Sequence, residues 1–373
     1  MVLNITSMLE RLHMQSVSDQ LFLEESLGDY GDAVDEENDT VTYSNPVIDN
    51  VIEESGAEGF RTLTNFNPME FEIVWSVVET ELQARWNDSR GRKSKTTPKN
   101  ALFITLVIMK YYQTWEKHAL DFDNKAPTLE KIVLRVVEVV SPLIYNYFVV
   151  MPTMEQIHVS GHPFANYPYA KYATDVKFQP SHRPAGGFGE QKHYFSGKHK
   201  LYGLKIEASF SPQGKLVDMS NHEPGSVSDL TTFRKRHDTH VANLTKTPSE
   251  ATINDNGELH QTSPNVWAVL VGKNYVGLTE SVRAVHPKKR PIHGALDCLD
   301  PGRNAAVSAD RAIVENFSAG TFVWGTKIFD GIQRLNFALT NFHVGLMPLR
   351  EDDRHHYRSV LARYARMAEE KIT

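Results

Sequence analysis

Cysteine is almost missing from this chain: Cys298 stands alone among 373 residues. One thiol cannot build an internal disulfide framework or a cysteine-rich zinc module, and it fits a reducing compartment. Long apolar runs are missing too. The longest, Ala101 to Met109, is interrupted by Thr105 and is too short to span a bilayer, so no membrane partner is expected. The stretch from Met1 to Glu10 has neither the basic start nor the continuous apolar core of a signal peptide. There is no phosphate loop ending in Gly-Lys-Ser/Thr, no Gly-x-Ser-x-Gly elbow and no internal repeat. The formal net charge is −6, so the chain as a whole lacks the basic excess of a nucleic-acid coat protein.

What is present is an ordinary globular composition, 40% hydrophobic and 23% charged, in a length that suggests two domains and a tail. Charge is unevenly spread. Acid concentrates between Glu24 and Asp39, and base occurs in local clusters. Residues 1–58 therefore read as an acidic disordered tail, either an interaction segment or a solvated extension.

Residues 59–150 read as a helical domain. Asn67-Pro68 is a helix start, and Phe71, Val74, Trp75, Val78 and Leu82 then share one face. A basic loop follows with Arg90, Arg92, Lys93 and Lys95. Thr97-Pro98 starts a helix that is apolar nearly all round and should be buried. A short helix from Thr114 to Phe122, a tight turn and a long helix from Thr128 resemble a helix-turn-helix. In that reading Lys125, Thr128, Lys131 and Arg135 contact DNA, and the basic loop holds phosphates. A plain helical bundle with solvated lysines fits the same pattern.

Residues 151–345 read as mixed α/β, and 346–373 as a charged C-terminal helix. Tyr172, Thr174, Val176 and Phe178 alternate with Ala173, Asp175 and Lys177 in a first strand. Lys200–Phe210 and Lys215–His222 are the second and third strands, joined at Pro212-Gln-Gly214. Ser226 or Ser228 caps a helix. Residues 238–264 read as a mobile polar loop. His237 and His240 fall there, a weak zinc signal without cysteines and more simply two exposed imidazoles. Asn265–Val271 is a buried fourth strand, and a late helical run begins at Ser308. This is the element order of a ribonuclease-H-like mixed sheet flanked by helices, preceded here by an all-α helix-turn-helix domain. Such folds hold acids on the first strand, after the fourth strand and on the late helix. Two Mg²⁺ or Mn²⁺ ions held by carboxylates then drive phosphoryl transfer.

Four stretches carry a resemblance: Tyr172-Ala-Thr-Asp-Val-Lys-Phe-Gln-Pro180, Lys198-His-Lys-Leu-Tyr-Gly-Leu-Lys205, Pro224-Gly-Ser-Val-Ser-Asp229 and Val307-Ser-Ala-Asp-Arg-Ala-Ile-Val-Glu-Asn-Phe317. Residues from about 60 to 350 resemble a Harbinger-type DDE superfamily transposase with an N-terminal helix-turn-helix. The resemblance implies a metal-dependent DNA endonuclease in the nucleus, with DNA as substrate, an accessory DNA-binding protein and a homo-oligomer as partners. It makes Asp175 the first catalytic and metal-binding acid and Glu315 the helix acid. Asp229 is a third acid, either a ligand or a support beside the site. Where the family pattern resembles Asp-Lys-Gly-Tyr-Gln-Gly, this chain has Gly272-Lys-Asn-Tyr-Val-Gly277, and the aspartate is gone. After Glu315-Asn-Phe317 the chain runs Ser318-Ala-Gly-Thr321, without the family's basic residue. Two functions follow: an endonuclease-like protein impaired at Gly272, or an inactive relic retained for DNA binding or as a scaffold. Lys288-Lys-Arg290 reads as a nuclear-import or phosphate-binding strip, or as a solvated loop.

Overall fold

The computed structural model describes residues 45–86, 94–275, 277–278, 282–290, 296–311, 322 and 324–346. Of the disordered tail expected over residues 1–58, residues 1–44 lie outside the described residues, whereas residues 46–58 are helical; the charged C-terminal helix expected over 346–373 lies outside them beyond Leu346. The chain divides at Pro46, and everything from Val47 onward clusters as one compact unit.

The first half is helical. α1 spans Pro46–Thr64 and α2 spans Pro68–Trp86. A reciprocal capping box starts α2. The Asn67 side-chain oxygen accepts from the Glu70 amide, and the Glu70 carboxylate accepts from the Asn67 amide, both at 2.8 Å. Phe71, Val74, Trp75, Val78 and Leu82 are all buried, as their spacing predicts. α3, Pro98–Tyr111, is capped by Thr97 and buries every residue from Asn100 to Ile108. α4, Trp115–Asp121, is capped by Thr114. A tight turn leads to α5, Ala126–Phe148, which packs against α2, α3 and α4.

After α6 (Met154–Val159) the chain forms a mixed sheet. β1 is Ala170–Pro180, and α7 (Phe188–Tyr194) leads into β2, Phe195–Ser196. β3 is Leu201–Phe210, β4 is Leu216–Met219 and β5 is Glu223–Pro224. α8 (Asp229–Lys235) and α9 (His237–Leu244) precede β6, Ala268–Leu270, and β7, Ala284–Val285. α10, Asp300–Arg311, and α11, Thr326–Leu346, complete the described elements. The strand order is β2-β3-β1-β6-β7, with β4 and β5 also paired to β3. β1 and β3 are antiparallel, whereas β1–β6 and β6–β7 are parallel.

Strand alternation divides the interior in two. Ala173, Leu204, Ile206, Ala208 and Leu270 share a core with α2, α3, α5 and α11. Tyr172, Val269 and Val271 face the other way, onto Met154, Phe233, Leu244 and Tyr275. Helices therefore cover both faces of the sheet, and the helical half shares its core with one of them.

Residues 238–264 are more ordered than their polarity suggests. His237–Leu244 is helical, and Asp255 anchors the following segment. The Asp255 carboxylate takes Arg283 Nη2 at 2.9 Å and Lys246 Nζ at 2.7 Å, and all three side chains are buried. These ion pairs do the ordering that apolar periodicity would otherwise do, which is why a hydrophobic reading misses the segment.

Asn341 joins α11 to the rest. Its side-chain oxygen accepts from the Leu216 amide at 2.8 Å, and its amide nitrogen donates to the carbonyls of Leu216 and Phe148 at 2.7 and 3.0 Å. Asn341→Leu strands these buried backbone groups and should cost about 3 kcal/mol, read from the urea midpoint. A second tie is pH-dependent. The Asp330 carboxylate bonds the His222 ring at 3.0 Å and raises its pKa, against the opposing effect of burial. That stabilisation is complete below the ordinary imidazole value and is lost as pH rises through the raised folded value. Melting temperatures between about pH 6 and 8 should fall less steeply for Asp330→Asn than for the native chain.

Candidate functional site

The site lies where β1 and β6 run side by side. Ala173 pairs with Leu270, so Gly272 emerges next to Asp175. Asp175 is half-buried in the middle of β1. Its Oδ1 accepts from the Val176 amide at 2.9 Å, and its Oδ2 accepts from Arg311 Nη2 at 2.9 Å. Arg311 is the last residue of α10, and its guanidinium is largely buried. A β-carbon built on Gly272 would stand 3.5 Å from that same Arg311 Nη2 and 3.5 Å from the Tyr275 ring, which is ordinary contact. Asp175, position 272 and Arg311 thus converge on one spot. Gly272 carries no side chain there, and Arg311 supplies the positive charge opposite Asp175.

Asp229 is held differently. It opens α8 after the Ser228 cap, and its Oδ1 lies 3.0 Å from Lys205 Nζ. Lys205 pairs with Phe178 across the β1–β3 ladder, and Phe178 is three residues from Asp175. An odd offset along a strand means opposite faces. Phe233 of α8 lies in the core of that other face, whereas Val307 of α10 lies in the core on Asp175's side. The Asp229 carboxylate is therefore tied to Lys205 across the sheet from the Asp175–Arg311 pair.

Tyr275 lies between these groups. It is buried, its hydroxyl has no hydrogen-bond partner among the described residues, and burial raises its pKa well above the ordinary phenol value. Asp175, Glu207 and Asp229 raise it further, while Arg311 opposes them. Next to it runs a buried polar relay that sequence reasoning missed. His240 is fully buried, not exposed as its polar neighbours suggested. Its Nδ1 meets the Tyr172 hydroxyl at 2.8 Å, its Nε2 meets Glu207 Oε1 at 2.9 Å, and its ring stacks on Phe233. Arg236 donates to Glu207 at 2.8 Å and to Asp218 at 2.5 Å. The available signal was positional: Glu207 falls within an alternating strand, where a charged residue facing the core needs a partner.

A pair of divalent cations would need several carboxylates around one point. Among the described residues no group of three His, Cys, Asp or Glu side chains is placed to hold a metal ion. Asp175 is neutralised by Arg311, Asp229 by Lys205, and position 272 has no donor. The described donors alone do not make up a two-metal centre. Glu315 lies outside the described residues, as do Arg90, Arg92 and Lys93.

The remaining basic residues expected to meet DNA are placed as follows. Lys95, Lys125, Thr128 and Lys131 are exposed, the last three along the start of α5. Arg135 is partly buried, donates to the Trp86 carbonyl at 2.8 Å and lies over the Trp86 ring. Arg236→Met would leave Glu207 and Asp218 without their shared counter-charge. It should destabilise the fold by about 3 to 5 kcal/mol in equilibrium unfolding.

The family described as DDE superfamily endonuclease matches residues 172–321. That span includes Asp175, Asp229, Gly272, Arg311 and Glu315. Neither the curated proteins nor the solved structures yield a match. The match supports a transposase-type nuclease domain at the level of the family, and DDE endonucleases generally use divalent metals.

Proposed function

We propose that this chain is a transposase-derived, DDE-endonuclease-like protein that binds DNA in the nucleus and whose metal-dependent cleavage and strand transfer are impaired. The observation that carries this reading is the Asp175–Arg311 pair facing an empty position 272. A carboxylate at 272 would stand opposite Asp175, and a glycine leaves one of the ligand charges out. Losing a charged metal ligand raises the barrier to phosphoryl transfer, and each 1.4 kcal/mol of lost stabilisation is about tenfold in rate.

The ribonuclease-H-like assignment draws on strand order and direction: antiparallel β3 on one side of β1, parallel β6 and β7 on the other. The helix-turn-helix assignment draws on α4, its tight turn and the exposed Lys125, Thr128 and Lys131. Nuclear placement draws on DNA as partner and on the basic strip Lys288-Lys-Arg290. A separate accessory DNA-binding protein and a homo-oligomer belong to the same reading. An active Mg²⁺- or Mn²⁺-dependent endonuclease is the second reading. Its support is the family match and the presence of Asp175.

A nicking assay on duplex DNA with Mg²⁺ and with Mn²⁺ separates the two. The native chain should stay at background. Gly272→Asp, whose β-carbon would sit in ordinary contact with Arg311 and Tyr275, should raise nicking by about tenfold or more, and adding Asp175→Asn should remove the gain. Strong metal-dependent nicking by the native chain would reject the impaired reading.

A further inference from the structure

Between Val176 and Ile206 the chain carries six Lys or Arg and three His against a single acid, Glu190. In a chain of net charge −6 this is a local reversal of sign. The fold gathers much of it onto one edge of the sheet. α7 runs directly into β2, and β2 pairs with β3 through Phe195–Tyr202 and Ser196–Leu201. Arg183 lies over the Tyr202 ring and donates its Nε to Gln191 of α7 at 2.7 Å. The hairpin Lys198-His-Lys200 caps the same edge, and Arg183, Lys192, Lys198, His199 and Lys200 are all exposed.

The edge is also stiff. The His199 ring stacks flat on Phe178, centroids 4.4 Å apart and 4° from parallel. Phe178 in turn lies across Gly203, where any β-carbon would come within 2.5 Å of the ring. Lys200 is held at φ +56, a left-handed conformation that glycine adopts freely and a lysine does not. Burial, together with Lys198 and Lys205, lowers the His199 pKa, consistent with dense positive charge. Two apolar rings stand in the open beside these cations: Phe188 is 78% exposed and Phe195 36%.

We propose that this edge is a binding surface for single-stranded DNA. Lys192, Lys198 and Lys200 meet the phosphates, and Phe188 and Phe195 offer stacking faces to unpaired bases. Charge complementarity selects a polyanion. Exposed rings among the cations select a strand whose bases are free to stack, since a duplex hides them. Lys198 Nζ is 4.0 Å from Asp229, so the surface borders that carboxylate, on the face of the sheet opposite the Asp175–Arg311 pair. This inference rests on the DNA-binding reading above and assigns that function a place.

The test uses the full chain with a labelled dT20 oligonucleotide and a 20-base-pair duplex, titrated over a range of salt. The triple variant Lys192→Ala, Lys198→Ala, Lys200→Gly should bind dT20 at least tenfold more weakly, with its salt slope reduced by about 2. Lys200→Gly alone should keep or raise the melting temperature, which separates lost binding from lost fold. Phe188→Ala should weaken dT20 about fivefold or more and leave the duplex unchanged. Native binding that the triple variant retains in full overturns the surface while leaving the DNA-binding function standing. No binding of either DNA by the native chain overturns both. Equal losses for dT20 and duplex, with no effect of Phe188→Ala, overturn the choice of a single strand.

Discussion

β1 is paired over its whole length, to parallel β6 from Ala170 to Ala173 and to antiparallel β3 from Ala173 to Pro180. A strand held this way cannot slip its register, because a one-residue shift would turn every side chain to the wrong face. The rest of the architecture follows from that constraint. Ala173 is committed to the core beneath the long helices, and Tyr172 to the relay with His240 and Glu207. Asp175 is committed to the side where α10 brings Arg311, and Phe178 to the side where His199 and Gly203 meet it.

Electrostatics then completes what the pleat begins. The prominent acids in this half of the molecule are matched with cations: Asp175 with Arg311, Asp229 with Lys205, Glu207 and Asp218 with Arg236, Asp255 with Arg283 and Lys246. A buried carboxylate is tolerable only on such terms. The pairing has a chemical price for the candidate site, because an acid committed to a guanidinium or an ammonium is a poor ligand for a divalent ion. The basic edge at Lys198–Lys200 is the contrasting case, with cations exposed and outnumbering acids.

The helical half was readable because its signals are local. Asn67-Pro68 and Thr97-Pro98 start the helices they were expected to start, Thr114 caps the short helix that was expected to begin at it, and the stripe from Phe71 to Leu82 is buried. β1 and β3 were readable from alternation. The Asp175 neighbourhood was half readable: the sequence marks Asp175 and the glycine at 272, but the Arg311 contact spans 136 positions and leaves no periodic trace. The 238–264 segment was misread because ion pairs between distant residues order it, and His240 looked exposed for the same reason. Which face Asp229 joins required the strand register, which composition does not carry.

Position 272 has a bearing on what a single substitution can add to this fold. When a core side chain is lost, neighbours usually drift inward and the old residue no longer fits. Here the nearest atoms to a restored β-carbon remain at 3.5 Å, a comfortable distance. The backbone at 272 therefore accepts a β-carbon with neither neighbour displaced. A side chain can enter beside Asp175 by one substitution, with no compensating change needed to seat its first carbon.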